Sequence, residues 1–275
     1  MKGQSAIGLS LAFAFLLNGG CVRPDTASEE RAASFAAYIE PPIDGLSIRD
    51  FILLRTGIVM GGEDLSIGLS HNDPATFEYK GTKLWIGSVT AIDRRGYFLT
   101  AAHCVGAGKI YLVFKQGARL RIEPGRVVWR SDVSRNGPDI AVLRVSGGLA
   151  RVFEWADKFK VDDVVFGAGP NFTSTRNFGY GVFAGKIANV TAQSAGNPYG
   201  SIISHNGPAR PGDSGGPLVS ENGRLLGVNT GGLAMFEIGG HIVPLPFVHR
   251  SYAYRPDLRW LTQIMDDDFA RHVLD

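Results

Sequence analysis

The chain has 275 residues and 36 glycines, and its 28 basic and 26 acidic residues leave a net charge of +2. This length suits one large domain or two small ones. The balanced charge gives no electrostatic basis for binding nucleic acid. A phosphate-binding glycine loop, an internal repeat and a zinc-type histidine pair are all absent from the sequence, so we expect neither a metal nor another cofactor.

The N-terminus has the pattern of a targeting segment. Lys2 provides a short positive region, Ala6 to Leu17 form an apolar run too short to span a bilayer comfortably, and two glycines precede Cys21. This pattern resembles a bacterial lipoprotein signal in which Cys21 becomes the lipidated first residue, although Asn18 stands where that signal usually carries an aliphatic residue. The alternative is an ordinary secretory signal. In both cases we expect export to the bacterial cell envelope, and with the lipoprotein signal a membrane anchor on Cys21.

The chain divides into five predicted segments. Residues 1–20 are the signal peptide, and the polar, turn-rich residues 21–50 are a tether. Short apolar runs separated by turn residues fill the centre of the chain, which is typical of an all-β protein. These runs divide into a first β-domain over residues 51–160 and a second over residues 161–252. Residues 253–275 are predicted to be helical.

The predicted C-terminal helix follows Pro256. Leu258, Leu261, Ile264 and Met265 recur at helical spacing, and we expect Trp260 to help pack the helix. Residues 266–268 are three consecutive aspartates, which we expect to be solvated. We expect no PDZ-type module after this helix.

Three short motifs contain the residue types of nucleophilic catalysis. His103 lies in Thr-Ala-Ala-His-Cys, Asp139 lies in Pro-Asp-Ile-Ala-Val-Leu, and Ser214 lies in Gly-Asp-Ser-Gly-Gly-Pro. A serine hydroxyl is a poor nucleophile near neutral pH, and it needs a base that a carboxylate orients. Separately, Ser214 is compatible with an ordinary turn, His103 with a buried core histidine and Asp139 with a turn cap. The three motifs together favour catalysis.

The serine motif also fits the nucleophile elbow of α/β-hydrolases. An elbow leads into a helix, and its acid and histidine follow the serine in the chain. Here Gly215, Gly216 and Pro217 begin a helix poorly, and Leu218-Val219 is predicted to be a strand. Asp257 and His272 do follow the serine, but they lie in the predicted C-terminal helix. We therefore disfavour the elbow.

The three motifs in the order His, Asp, Ser resemble the chymotrypsin/trypsin-like serine peptidase family over about residues 55 to 262. The resemblance implies two six-stranded antiparallel β-barrels with the active site between them. His103 and Asp139 would belong to the first barrel and Ser214 to the second. It also implies that Ser214 is the nucleophile, His103 the general base and Asp139 the group that orients it. The backbone N–H groups of Gly212 and Ser214 would form the oxyanion hole.

The same resemblance locates the substrate pocket. Cleavage after Arg or Lys requires an acid six residues before the serine, where this chain has Pro208. We therefore expect a neutral side chain at P1, the substrate residue that precedes the cleaved bond. An alternative is that His205 enters the pocket and favours an acidic side chain, but we expect it on a surface loop. The predicted pocket residues are Pro208, Ala209, Val228, Asn229, Thr230, Gly231 and Gly232.

The region around Ile58 and the residue Cys104 each have two possible interpretations from the sequence. In related zymogens the acid before the serine pairs with a new N-terminus, and Ile58-Val59 resembles such an N-terminus after cleavage near Gly57. The alternative is that Ile58 and Val59 form a strand and that Asp213 meets an Arg or a backbone donor. Cys104 is predicted to be a small buried hydrophobic residue, although a disulfide with Cys21 is the other possibility.

The sequence therefore predicts a serine endopeptidase that acts through an acyl-enzyme on a protein or peptide substrate. We expect it to be a monomer. Two other functions are compatible with the same sequence. One is a non-catalytic binding or scaffold protein that keeps the fold, and the other is an esterase-like hydrolase with the same three residues.

Overall fold

The structure of the protein is a computed structural model. The predicted signal segment and Cys21 lie outside the residues it describes. Within the predicted tether it describes a short helical stretch at residues 33–36 and the chain from residue 43 onward. The described residues are 33–36, 43–70, 77–116, 119–133, 138–172, 178–192, 200–210, 212–232, 235–238, 241–244 and 251–272.

The first half of the chain forms one antiparallel sheet, here called the first sheet. Its seven strands have the spatial order β5-β4-β1-β2-β3-β7-β6. The strands are β1 (Thr56–Leu69), β2 (Phe77–Asp93), β3 (Tyr97–Thr100), β4 (Lys109–Gln116), β5 (Arg119–Pro124), β6 (Arg126–Arg130) and β7 (Ala141–Arg144).

The second half forms a closed six-stranded barrel, here called the second barrel, with the order β10-β15-β12-β11-β8-β9. Two further strands, β13 (Met235–Ile238) and β14 (His241–Pro244), pair only with each other among the described residues. The barrel strands are β8 (Val164–Phe172), β9 (Phe178–Ala192), β10 (Ser201–His205), β11 (Pro217–Ser220), β12 (Leu225–Gly232) and β15 (Ser251–Arg255).

The all-β prediction with a C-terminal helix is confirmed. The second half has the expected six-stranded barrel, whereas in the described residues the first half is a seven-stranded sheet.

The two halves share a hydrophobic core, and strand β3 shows how it forms. All four residues of β3 are buried. Because successive side chains of a strand point to opposite faces, Tyr97 and Leu99 pack in a cluster that also contains Phe166 and Val228 of the second barrel. Phe98 points the other way, into the interior of the first sheet. The end of β3 therefore lies at the boundary between the two halves.

Two helices pack on this β framework. Helix α1 (Ile48–Leu53) begins at Ser47, whose hydroxyl accepts a hydrogen bond from the amide of Asp50, and it buries Ile48 and Ile52 in the shared core. Helix α2 (Leu258–His272) lies against the first sheet, where the ring of Trp260 meets that of Trp129 at 4.7 Å. The expectation that Trp260 packs this helix is confirmed. No helix in the described ranges has the length and apolar character needed to cross a membrane.

One expectation for helix α2 was wrong. The acidic run was predicted to be solvated, and its first two members, residues 266 and 267, are exposed, but Asp268 is only 2% exposed. Its carboxylate accepts two hydrogen bonds from Arg126 and one from the hydroxyl of Tyr97. A buried carboxylate is tolerable when such donors compensate its charge.

Candidate active site

The first sheet brings His103 and Asp139 together. His103 lies in a short 3-10 helix (Ala102–Cys104) that directly follows β3, and Asp139 lies two residues before β7. Because β3 and β7 pair antiparallel with Thr100 opposite Ala141, the residues after β3 and those before β7 are neighbours. The distance from His103 Nδ1 to Asp139 Oδ2 is 2.6 Å, and the backbone N–H of His103 donates to Asp139 Oδ1 at 3.0 Å.

This pair determines the proton state of the imidazole. A carboxylate only accepts hydrogen bonds, so Nδ1 carries a proton and Nε2 is the basic nitrogen of the neutral ring. Burial by itself lowers the pKa of His103, but the hydrogen bonds and charges of Asp139 and Cys104 together outweigh burial and raise that pKa above the ordinary 6.5. Both side chains stay partly accessible, with 27% of His103 and 23% of Asp139 exposed.

Ser214 lies in a tight turn of residues 212–217, here called the serine turn, which leads into β11. Asp213 N–H donates to the carbonyl of Arg210 at 2.9 Å, and Gly216 N–H donates to the carbonyl of Asp213 at 2.8 Å. Gly212 and Gly215 have positive φ values of 100° and 86°, which favour glycine. The turn continues into a strand instead of a helix, which excludes the nucleophile elbow.

Two residues of β2 hold the serine turn from the opposite side of the boundary. The backbone N–H of Ser88 donates to the Ser214 carbonyl at 2.8 Å, and its hydroxyl donates to the Gly212 carbonyl at 2.7 Å. The hydroxyl of Thr90 donates to the Gly215 carbonyl at 2.8 Å. The sequence alone does not point to either residue, because both lie more than a hundred positions before the turn and resemble ordinary strand residues.

The serine turn also lies beside the residue that follows His103. The thiol of Cys104 is 3.6 Å from the Ser214 carbonyl oxygen. Cys104 is buried and has no disulfide among the described residues, which confirms the prediction of a small buried residue. The structure therefore brings the three sequence motifs to one place at the boundary between the first sheet and the second barrel.

Asn229 of β12 holds the serine turn from the second barrel. Its carbonyl accepts from Gly215 N–H at 2.6 Å, and its own N–H donates to the Gly216 carbonyl at 2.7 Å. Its side-chain Nδ2 donates to the Gly216 and Pro217 carbonyls, each at 3.2 Å. Asn229 was predicted to be part of the pocket wall, and the structure adds these contacts with the serine turn.

The segments predicted to surround the substrate pocket converge on β15. His205, at the end of β10, and Gly232, at the end of β12, both pair with Ser251. The hydroxyl of Ser251 donates to the Gly207 carbonyl at 2.8 Å, and it accepts from the Ala209 amide at 3.3 Å. The predicted pocket residues Pro208, Ala209, Thr230 and Gly231 are all partly exposed, whereas Val228 and Asn229 are buried.

The expectation that His205 lies on a surface loop was wrong. His205 is the last residue of β10, and it has no exposed surface. Its ring stacks on Phe183 with a centroid distance of 5.7 Å, and its Nε2 lies 3.0 Å from Asn229 Oδ1. The short polar sequence around His205 resembles a loop, but the strand pairing of β10 with β9 and β15 buries the ring.

The structure also answers the question about Ile58 and Asp213. Ile58 is buried in β1 and pairs with Ser88 of β2 on one side and with Val113 of β4 on the other. Asp213 is buried, and its carboxylate accepts from the Arg210 backbone N–H at 2.7 Å. These contacts match the alternative of a strand and a backbone donor, and they disfavour activation by cleavage near Gly57.

Within the described ranges, no three His, Cys, Asp or Glu side chains come together as metal ligands.

Comparison with known proteins assigns the chain to a family. The model of the trypsin-like peptidase domain matches residues 87–228, which include His103, Asp139 and Ser214. The chain is 29% identical to the serine endoprotease DegS of Escherichia coli over 151 residues, which are 53% of this chain and 39% of that protein. It is 26% identical to the magnetosome formation protease MamE of Magnetospirillum gryphiswaldense over 149 residues, which are 53% of this chain and 18% of that protein. The chain therefore spans well under half the length of these curated relatives.

Solved structures show the same fold. The HtrA-type protease AlgW with a decapeptide has a TM-score of 0.55 at 22% identity, covering 80% of this chain and 67% of that one. The Rv3671c protease from M. tuberculosis, in its active form, has a TM-score of 0.52 at 18% identity, covering 75% of this chain and 78% of that one. At these identities the likeness concerns the chymotrypsin-like fold. By its family match, which spans more than half of its residues, the chain belongs to the trypsin-like peptidase family.

Proposed function

We propose that the protein is a serine endopeptidase with Ser214 as nucleophile, His103 as general base and Asp139 as the residue that orients the base. The observation that carries this proposal is the His103–Asp139 pair, joined by two hydrogen bonds, next to a serine turn that both halves of the fold hold in place. An orienting carboxylate, an imidazole with its basic nitrogen at Nε2 and a serine on a glycine-lined turn are the parts that acyl transfer requires.

The reaction proceeds in two steps. Ser214 Oγ attacks the carbonyl carbon of the substrate while its proton passes to His103 Nε2, and the backbone N–H groups of Gly212 and Ser214 receive the developing oxyanion. The carbon–nitrogen bond then breaks, and His103 returns the proton to the leaving amine, which leaves an ester on Ser214. Water then attacks this ester with His103 again as base, which releases the acid and restores the hydroxyl.

We further propose that the pocket accepts a neutral side chain at P1. The position that would recognise a basic side chain is Pro208, and the nearby polar contacts come from the Ser251 hydroxyl, which is engaged with Gly207 and Ala209. None of the seven residues named for the pocket wall is an Asp or a Glu. A panel of fluorogenic peptides that differ only at P1 tests this proposal, and a clear preference for Arg or Lys would contradict it.

We propose that the protein works in the bacterial envelope, anchored by a lipid on Cys21, and acts as a monomer on a protein or peptide. The support is the N-terminal sequence pattern together with relatives named as periplasmic serine proteases. Intact mass of the membrane-extracted protein tests the anchor, with Cys21→Ser as the control. Light scattering of the detergent-solubilised protein tests the oligomeric state.

Labelling of the purified protein with a fluorophosphonate probe tests the proposed chemistry. We expect one adduct, which peptide mapping locates on Ser214, and none in Ser214→Ala. If the folded protein does not react, the non-catalytic binding or scaffold function is favoured instead. If Ser214 reacts and the protein hydrolyses esters but none of a broad panel of peptides, an esterase-like hydrolase is favoured.

A further inference from the structure

His205 and Asn229 form a buried hydrogen-bonded pair behind the serine turn. Neither residue is more than 1% exposed, and His205 Nε2 lies 3.0 Å from Asn229 Oδ1. The ring of His205 stacks on Phe183 of β9 with an angle of 10° between the two planes. The pair therefore joins β10 to β12, two strands of the barrel that have β15 between them.

The contacts of Asn229 determine which of its side-chain atoms faces the histidine. Its Nδ2 lies at hydrogen-bond distance from the carbonyls of Gly216 and Pro217, which only accept hydrogen bonds. The amide nitrogen must therefore point to the serine turn, and the amide oxygen must point to His205. Since this oxygen is an acceptor, His205 Nε2 carries a proton and donates it.

The other ring nitrogen has a different environment. His205 Nδ1 is buried and has no hydrogen-bond partner among the residues that the structure describes. The two residues that stack on the ring or share a hydrogen bond with it, Phe183 and Asn229, are both uncharged. Burial lowers the pKa of His205 to about 4, so the ring is neutral at neutral pH and has the single donor that Asn229 uses.

A polar nitrogen without a partner in the interior is unfavourable. An apolar residue would fill this interior position without that penalty. The benefit that offsets it here is the oriented donor at Nε2, because without this donor the amide oxygen of Asn229 loses its hydrogen bond to His205.

Asn229 in turn contacts three consecutive residues of the serine turn. Its main chain exchanges hydrogen bonds with Gly215 and Gly216, and its side chain contacts Gly216 and Pro217. The residue before Gly215 is the proposed nucleophile. A shift of Asn229 therefore moves the backbone of the serine turn, which includes the proposed oxyanion donors and holds Ser214 Oγ in position.

From these contacts we propose that His205 and Asn229 are positioning residues, and that the His205 donor orients the Asn229 amide so that the serine turn keeps its reactive geometry. This inference rests on the proposed function for its effect on reactivity, but the effect on the backbone of the serine turn is independent of catalysis. It assigns to His205 a role in the active-site geometry without contact with the substrate.

The test compares His205→Gln with His205→Met in the full chain. The two side chains have similar length and flexibility, but only Gln has an N–H that can donate to Asn229 Oδ1. The rate constant of fluorophosphonate labelling at Ser214 is measured together with the probe's binding constant. We expect His205→Met to lose about 100-fold in the rate constant with little change in binding, because a displaced catalytic group has this effect. His205→Gln is expected to recover most of the loss.

Amide hydrogen exchange provides the readout that needs no activity. We expect faster exchange at Gly215, Gly216 and Asn229 in His205→Met than in the wild type, and near wild-type exchange in His205→Gln. The control is Ile203→Ala, another fully buried position of β10, which is expected to lower the melting temperature while leaving the labelling rate close to that of the wild type.

Three results would overturn the inference. One is equal labelling rates in the Gln and Met variants, and another is unchanged exchange in the serine turn of His205→Met. The third is a loss of labelling in Ile203→Ala as large as that in His205→Met. If the wild type itself does not label, the proposed function fails, and the exchange comparison alone then decides the inference.

Discussion

The hydroxyl of Ser88 donates a 2.7 Å hydrogen bond to the carbonyl of Gly212, 124 residues later in the chain. Ser88 belongs to the first sheet, whereas Gly212 begins the turn that leads into the second barrel. The backbone N–H of Ser88 also binds the carbonyl of Ser214. The conformation of the proposed nucleophile therefore depends on the packing of the two halves as well as on the local glycines.

Replacing this hydroxyl is expected to weaken the serine turn. In Ser88→Ala the Gly212 carbonyl loses its donor at a partly buried site, which costs about 1–3 kcal/mol. If that energy distorts the turn, the rate of fluorophosphonate labelling falls about tenfold, since 1.4 kcal/mol corresponds to a factor of ten. Ser66→Ala, on an exposed position of β1, is the control and is expected to label like the wild type. Wild-type labelling of a folded Ser88→Ala would contradict the role of this hydroxyl.

Replacing the orienting carboxylate is expected to change both the rate and its pH dependence. The pKa of His103 lies above 6.5 in the folded protein. The fraction of His103 that is neutral, and therefore kcat/KM, rises as the pH increases through this raised pKa. In Asp139→Asn the largest of the contributions that raise the pKa of His103, the hydrogen bond to Asp139, is lost, and burial, which lowers the pKa, remains. We expect the acidic limb of the profile to move to lower pH and the plateau to fall about 10⁴-fold, because the imidazole loses the carboxylate that holds it in the reactive tautomer.

A pH–rate profile of an activated ester checks this prediction, and Asp267→Asn on exposed helix surface is the charge-matched control. The His103–Asp139 pair also makes the free energy of unfolding depend on pH, and its contribution falls as the pH rises, whereas kcat/KM increases. Because the folded-state pKa of His103 is raised, its stabilising contribution is fully present below pH 6.5 and is lost as the pH rises through the folded-state pKa. If the acidic limb does not move in Asp139→Asn, Asp139 does not influence the pKa of the base.

The serine turn requires glycine at position 215. Its φ is 86°, and a Cβ there would collide with the carbonyl oxygen of Ser88 and the hydroxyl of Thr100. We expect Gly215→Ala to abolish labelling of Ser214 and to lower the unfolding free energy by about 2 kcal/mol or more, because the left-handed conformation alone costs about 1–2 kcal/mol. Gly68→Ala meets no atom within 4 Å and is the matched control. Chemical denaturation and probe labelling of both variants are the measurements, and a stable, reactive Gly215→Ala would contradict the geometry of the turn.

The buried Asp268 is expected to be a main anchor between helix α2 and the first sheet. It accepts two hydrogen bonds from Arg126, and Arg144 lies 3.3 Å away. Asp268→Asn leaves these cations without their buried counter-charge, which is expected to lower the unfolding free energy by about 3 kcal/mol. The exposed neighbour Asp267→Asn is expected to change it little. Urea unfolding measures both, and equal values for the two variants would argue against the anchor.

The contribution of Asp268 is also expected to depend on pH. Burial by itself raises the pKa of Asp268, but the hydrogen bonds from Arg126 and Tyr97 outweigh it and lower that pKa to about 2 from an ordinary 3.8. A lowered folded-state pKa stabilises the fold above the unfolded value, here by about 2 kcal/mol, and this part is lost as the pH falls from 3.8 toward 2. We expect the unfolding free energy of the wild type to approach that of Asp268→Asn as the pH falls across this range. A constant difference between them would contradict the linkage.

Much of the fold was predictable because its signals are local. Short apolar runs indicated strands, and the spacing of Leu258 and Leu261 indicated the last helix. The three motifs pointed to one chemistry, since each combines a reactive residue with its own local context. The prediction that Cys104 is a small buried residue is confirmed.

The errors concern residues whose environment comes from distant parts of the chain. His205 resembles a loop residue in sequence, but strands on both sides bury it. Asp268 is one of three consecutive aspartates, and only its position on the helix face toward Arg126 distinguishes it from its exposed neighbours.

The amino-acid sequence by itself determined the family, the all-β class and the residues of the proposed chemistry, because these depend on short-range patterns of residue type. Only the tertiary structure decided how Ser88, Thr90 and Asn229 hold the serine turn, and that Asp213 meets the backbone of Arg210. Hydrogen bonds between groups a hundred residues apart depend on the register and packing of whole strands. A local sequence pattern contains no information about which distant donor will face a given carbonyl.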